Sequence, residues 1–220
     1  MGSQENRSSG RGRAGWPPEG WPLFFVLAAL LTGVYLALVL PDTEESLRRM
    51  IRTSGKVSAV LFAFAFAASA LLRLRRTRTT LWLRRNRRIF GVSFAWSQTL
   101  HLGALVALGV LYPEPFRRGL DLVTILGGGL AYVFMFAMAA TSSDRALRAL
   151  GPKAWGRLHW YGSWLIWIVL AQTLIPEALV GRASNIAVMT ILLPAAALRF
   201  LPHRRVAVRR RDGQSPASGS

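Results

Sequence analysis

Residues 87–102 read RRIFGVSFAWSQTLHL and decide the fold. The two arginines open a run of 24 residues, 89–112, that contains no Asp, Glu, Lys or Arg. A helix of about 20 apolar residues crosses a bilayer, so this run predicts a transmembrane helix. His101 lies near its middle, and a histidine at that depth is costly unless it is paired, hydrated or bound to a metal. His101 is therefore the first candidate functional residue.

The composition of the whole chain points to the same setting. Hydrophobic residues make up 52% of the 220, and cysteine is absent, which excludes disulfides and thiolate metal sites. The formal net charge is +18, but most basic residues flank long apolar runs. Such placement favours contact with anionic lipid headgroups. We therefore expect the lipid bilayer as a partner and no nucleic acid.

Apolar runs recur along the chain and define its organisation. The sequence predicts an all-α integral membrane protein, a six-transmembrane-helix bundle in residues 21–202, flanked by disordered basic tails at 1–20 and 203–220. The expected spans are about 21–40, 56–73, 89–112, 121–143, 154–175 and 183–201. Residues 44–51 carry an apolar face that favours a short interfacial helix. The fifth helix is expected to begin near Pro152, because proline suits the first helical position.

Basic residues predict the orientation of these spans. With both termini inside, 21 of the 28 Lys and Arg residues fall on the inner side. Positive charge concentrates in cytoplasmic segments, so both termini are expected to be cytoplasmic.

Two histidines fall inside spans that this topology makes parallel, His101 in the third and His159 in the fifth. Imidazoles from two helices can supply both axial ligands of a haem iron. Small residues beside them would let the macrocycle approach: Ser97 next to His101, and Gly162 and Ser163 next to His159. The depths differ, since His101 follows the start of its span by about 18 Å and His159 follows Pro152 by about 10 Å. A shared iron would need the third helix to start below the membrane surface or to tilt.

Alternatives exist for each of these features. A membrane histidine can simply hydrogen-bond a neighbouring helix, and the third histidine, His203, is expected to be solvated or to face headgroups. Residues 127–129 are three glycines that favour helix packing. Four tryptophans of the fifth span are interpreted mainly as interface belt or lipid-facing bulk: Trp155, Trp160, Trp164 and Trp167. Transport is disfavoured, because carriers usually place more ionisable groups inside their spans.

Three blocks of residues resemble a known family. The sequence around Arg87, Arg88, Gly91, Leu100 and His101 resembles the third helix of the ferric reductase-like transmembrane domain family. Two further blocks resemble other parts of that family: Thr141-Ser142, Leu150-Gly151, Trp155 and Leu158-His159, and more weakly Thr53-Ser54-Gly55-Lys56. Within the family, the chain is most similar to the haem-binding membrane subunits of bacterial periplasmic methionine sulfoxide reductase systems. The resemblance covers roughly residues 50–175.

The resemblance implies a b-type haem held by His101 and His159 in the bacterial inner membrane and a role in one-electron transfer. Arg87, Arg88 or Arg157 would pair with the haem propionates, although lipid phosphate is an equally good partner for each. The implied donor is a quinol or a separate cytoplasmic flavin reductase, and the implied acceptor is a periplasmic partner, a metal ion or a quinone.

The chain departs from the family at the positions that serve a second, outer haem. Gln172 stands where family members carry another histidine on the fifth helix, and Glu114 lies in the corresponding region after the third. Neither is a good haem ligand, so one haem is expected rather than two. Loss of one site also makes a second function credible, that of a haem-free membrane scaffold or partner-binding subunit.

Overall fold

A computed structural model describes residues 19–40, 43–118 and 121–200. Most of the expected N-terminal tail and all of the expected C-terminal tail, with His203, lie outside these ranges. Within them every regular element is a helix, and there is no strand. In order, the helices are α1 (Trp21–Val39), α2 (Glu44–Leu74), α3 (Arg78–Arg85), α4 (Arg87–Leu111), α5 (Pro113–Arg118), α6 (Leu122–Ala140), α7 (Asp144–Leu179) and α8 (Ala183–Phe200).

Six of these helices, α1, α2, α4, α6, α7 and α8, are long and apolar enough to cross a membrane. The prediction of an all-α fold with six candidate spans is confirmed for the described residues. Many large apolar side chains point outward, among them Phe25 and Val133, each 64% exposed. Apolar surface on this scale marks an interaction surface, and on long apolar helices it fits contact with lipid.

The second span is longer at its start than expected. Thr43 caps α2: its side chain accepts the N–H of Ser46, and the Ser46 side chain accepts the N–H of Thr43. From this cap the helix runs without interruption through Gly55 to Leu74. The prediction of a separate interfacial helix at 44–51 is wrong, because the cap starts one continuous helix of 31 residues. That length, about 46 Å, exceeds the thickness of a hydrocarbon core.

The start of the fifth span follows the prediction. α7 contains a kink at Gly151, whose φ of 76° is not helical, and Pro152 begins the part that crosses the bundle. The residues from Asp144 to Leu150 form a separate helical segment before the kink. Glycine tolerates this backbone conformation and proline suits a first turn, so the two residues together fix the boundary.

α2 is the central helix of the bundle. It packs against α4 and α8 and also touches α1 and α3. α7 packs against α6 and α8, and α6 reaches α4. α4 and α7, the helices that carry the two candidate histidines, both contact α6 and do not pack closely against each other.

We call the end of the bundle where α2 ends and α4 begins the arginine end. Asn86, 1% exposed, joins three helices there. Its side chain accepts the N–H of Gly20 at 2.8 Å and donates to the Trp82 carbonyl at 2.9 Å. Arg85 also pairs with Glu19 at 3.7 Å. The last two residues of the expected N-terminal tail, Glu19 and Gly20, are thus bound to the bundle.

Replacing Asn86 with alanine should lower the stability of the protein. The partly buried Gly20 N–H would lose its acceptor, and an unsatisfied polar group costs up to about 1–3 kcal/mol when it is buried. Thermal unfolding in detergent would measure this as a lower Tm than that of the wild type. Gln172→Ala, at an exposed position, is the control, and equal Tm values for the two variants would contradict the role of Asn86.

Candidate functional site

His101 is half-buried on α4 and faces α2. Its Nδ1 lies 2.8 Å from the Ser54 Oγ, and Ser54 is fully buried. Because the Ser54 hydroxyl donates its proton to the Met50 carbonyl at 2.7 Å, its oxygen accepts the hydrogen bond from the Nδ1–H of His101. Gly55 lies beside the ring, since a Cβ there would be 3.8 Å from the His101 Cε1. His101 therefore makes the hydrogen bond between neighbouring helices that the alternative interpretation expected.

Ser97, one turn before His101, also faces α1 and α2. Its hydroxyl lies 2.7 Å from the Tyr35 hydroxyl and 2.8 Å from that of Ser58, and all three residues are buried. Ser93, one turn further back, is also buried, and its hydroxyl has no hydrogen-bond partner. Ser97 thus joins three helices through hydroxyl groups, and its contacts do not place it in a slot between α4 and α7.

His159 is half-buried on α7, and its contacts differ from those of His101. Its ring stacks on Trp155 with a centroid distance of 4.0 Å, and its Nδ1 lies 3.1 Å from the Trp155 carbonyl oxygen. Arg87 of α4 is near enough for its charge to act on the imidazole. Metal-bound histidines commonly donate one ring N–H to such an acceptor, and the backbone of Met138 on α6 is also near the ring.

Gly162 and Ser163 are both buried, and each has a protein neighbour. A Cβ added to Gly162 would lie 2.8 Å from the Met138 Sδ and 3.1 Å from Phe134 Cδ1. Gly162 thus allows α6 to approach α7. The Ser163 hydroxyl accepts a hydrogen bond from Arg199 Nη1 at 3.2 Å and donates to the Trp160 carbonyl at 3.1 Å.

The three arginines expected to face a cofactor separate into two groups. Arg87 is half-buried, and its Nε donates to the Ala65 carbonyl at 3.1 Å. Arg88 is exposed and lies 3.9 Å from Asp144. Arg157 is exposed on α7. Of the three, Arg87 is the one whose charge acts on a candidate histidine, His159.

The tryptophans of α7 also differ from the expectation. Trp155 donates to the Thr141 carbonyl and Trp167 to the Leu192 carbonyl, while Trp164 packs on Phe66. Trp160, 51% exposed, is the one of the four that faces outward. Most of these rings therefore pack against, or hydrogen-bond to, residues outside α7 rather than facing lipid.

The depths of His101 and His159 can be compared along α2. His101 bonds to Ser54, and Trp164 packs on Phe66 with ring centroids 5.3 Å apart. Twelve residues, about 18 Å of helix, separate Ser54 from Phe66. His159 precedes Trp164 and so lies nearer still to the arginine end.

α6 gives an independent comparison in the same direction. The Tyr132 hydroxyl lies 3.2 Å from Gln98 Oε1, three residues before His101. Met138, about 9 Å along α6 from Tyr132, contacts Gly162, three residues after His159. Both paths place His101 more than about 9 Å deeper than His159.

This separation decides how well a haem fits. Each imidazole has its Nδ1 beside a protein acceptor, as a metal ligand would. One iron between both histidines does not fit, however, because axial ligands must lie at the same depth. A haem bound in this arrangement would take one of the two imidazoles.

The positions that depart from the resembled family both face away from the interior. Gln172 is exposed on α7, and Glu114 is exposed and lies 3.6 Å from Arg117. Across the described ranges, no group of three or more His, Asp or Glu side chains could hold a metal ion. A haem with one or two imidazole ligands would not form such a group.

Fold and side chains together describe a helical bundle with six candidate membrane spans, two polar interior histidines and an arginine-rich end. No family model, no curated protein and no solved structure matches the chain.

The contacts of Arg199 were not predicted from the sequence. There, Arg199 is one of the basic residues that indicate the orientation of the spans. In the structure its guanidinium lies 4.2 Å over the Phe66 ring and bonds to Ser163. A signal was present, since an arginine in the last turn of an apolar helix can turn its head group toward the bundle.

Proposed function

We propose that this protein is a b-type cytochrome-like membrane protein that carries single electrons. The supporting observation is the pair of interior histidines, each with Nδ1 beside a protein acceptor. His159 is the preferred ligand, because its ring lies near the basic side chains of the arginine end, which suit haem propionates. When bound, the haem would supply reversible one-electron oxidation and reduction of its iron.

The setting of this activity is also a proposal. We place the protein in the bacterial inner membrane with both termini in the cytoplasm, because 21 of 28 Lys and Arg residues then fall inside. The arginine end would face the cytoplasm. A quinol or a separate cytoplasmic flavin reductase would donate the electron, and a periplasmic partner, a metal ion or a quinone would accept it.

An absorption spectrum of the purified protein tests the proposal. About one haem per chain is expected, with bands that shift on reduction by dithionite. Two haems per chain would mean either that His101 and His159 each bind a haem or that a further group binds iron. No haem, even after expression with a haem precursor, would overturn the proposal.

A second function has its own supporting observation. The His101–Ser54 hydrogen bond accounts for His101 without a cofactor, and the difference in depth separates it from His159. Both features support a haem-free scaffold or partner-binding subunit. The same spectrum distinguishes the two functions, because the scaffold would purify without haem.

A further inference from the structure

Two arginines from different helices meet on neighbouring residues of α2. Arg87 of α4 donates to the Ala65 carbonyl, and the Arg199 guanidinium of α8 lies over the ring of Phe66. The two are near enough for their charges to act on each other, and Arg73 of α2 adds a third positive charge. Like charges near one another repel, and an anion beside them would offset that repulsion.

The carboxylates at this end of the bundle are already paired. Among the described residues, Glu19 lies 3.7 Å from Arg85, and Asp144 lies 3.9 Å from Arg88. The ion pairs of the described chain include none made by Arg73, Arg87 or Arg199. Among the residues that the structure describes, no carboxylate thus supplies a counter-charge to this cluster.

The guanidinium groups also keep unused donors. A guanidinium has five N–H donors. Arg87 donates its Nε–H to the Ala65 carbonyl, and Arg199 donates one Nη1–H to the Ser163 hydroxyl. The remaining N–H groups can bind oxygens of a phosphate or carboxylate through charge-assisted hydrogen bonds.

We propose that Arg87 and Arg199, with Arg73, bind the phosphate of an anionic phospholipid where α2, α4, α7 and α8 meet at the arginine end. The cluster lies at the ends of apolar helices, where a headgroup phosphate meets protein and the acyl chains follow the outer surface. Basic sites between membrane helices commonly bind such headgroups. The Phe66 ring under Arg199 and the Ser163 hydroxyl hold this guanidinium in one position before lipid arrives.

Native mass spectrometry of the detergent-purified full chain tests the site. The wild type and Arg199→Gln would be compared in phosphatidylglycerol and in phosphatidylcholine. The wild type should retain phosphatidylglycerol, and Arg199→Gln should retain it roughly tenfold less, since loss of a hydrogen bond between charged groups costs about that factor. Arg199→Lys should recover part of the binding, because lysine keeps the charge but not the fork of donors.

Arg148→Gln is the matched control, because it removes the same charge from an exposed position on α7. Equal loss of lipid in Arg148→Gln and Arg199→Gln would overturn the proposal in favour of diffuse attraction. Equal stabilisation by inorganic phosphate and by phosphatidylglycerol would identify free phosphate as the ligand and overturn it too. Haem would be counted in the same samples: if Arg199→Gln lost haem but kept lipid, the cluster would serve propionates instead. Loss of lipid without change in haem supports the lipid site, whether or not the protein binds haem.

Discussion

Alanine at His159 is expected to abolish haem binding, whereas alanine at His101 should leave haem in place and weaken the bundle. The reason is their difference in depth, which prevents one iron from binding both imidazoles. His159 lies beside Arg87, while His101 is held against α2 by Ser54. Haem per chain, measured spectroscopically in both variants, is the readout.

The effect of His101→Ala should appear in stability instead. Losing one hydrogen bond between membrane helices costs about 1–2 kcal/mol, which would lower Tm in detergent. His101→Gln keeps a polar group that can reach Ser54, so it should recover much of the loss. Neither variant should change the haem content.

The opposite result has a clear meaning. If both alanine variants lose their haem while keeping their helical circular dichroism, both histidines bind the same iron, whereas loss in His101→Ala alone would make His101 the ligand. In the first case, α4 and α7 would have to take a different relative depth in the haem-bound protein. If both variants and the wild type lack haem, the scaffold function stands.

The sequence predicted the spans well because each depends on a local pattern. Hydropathy marked six long helices, and Pro152 marked the start of the crossing part of α7. The helical rise per residue, applied to the sequence alone, also predicted that His101 lies deeper than His159. The predicted start of α2 was wrong, because the Thr43–Ser46 cap begins a helix that includes the polar segment before the span.

The composition of the candidate site was harder to predict, because it depends on how one helix is placed along another. The depth of His101 relative to α2 is fixed by Ser54, and that of α7 relative to α6 by Gly162 against Met138. Such contacts pair residues far apart in the chain, and no pattern within one helix contains them. The same limit explains Arg199, whose partners Phe66 and Ser163 belong to two other helices.

Replacing Gly162 with leucine should separate α6 from α7 and strongly destabilise the bundle. Even a Cβ at this position would lie 2.8 Å from the Met138 Sδ and 3.1 Å from Phe134. A leucine needs room for three more carbon atoms, and overpacking of this kind costs about 1–3 kcal/mol. α6 has few other inward contacts to resist displacement, because only 11% of its most apolar 18-residue stretch is buried.

Gly128 offers the matched control on the facing helix. A Cβ there would meet nothing within 4 Å, and alanine is the better helix former by about 1 kcal/mol. Gly128→Ala should therefore keep or raise the Tm, while Gly162→Leu lowers it. A Gly162→Leu protein as stable as the wild type would mean that α6 does not pack closely on α7 at this level. The comparison of depths along α6 would then no longer hold. The relative depth of His101 and His159 would rest on the contacts of α2 alone.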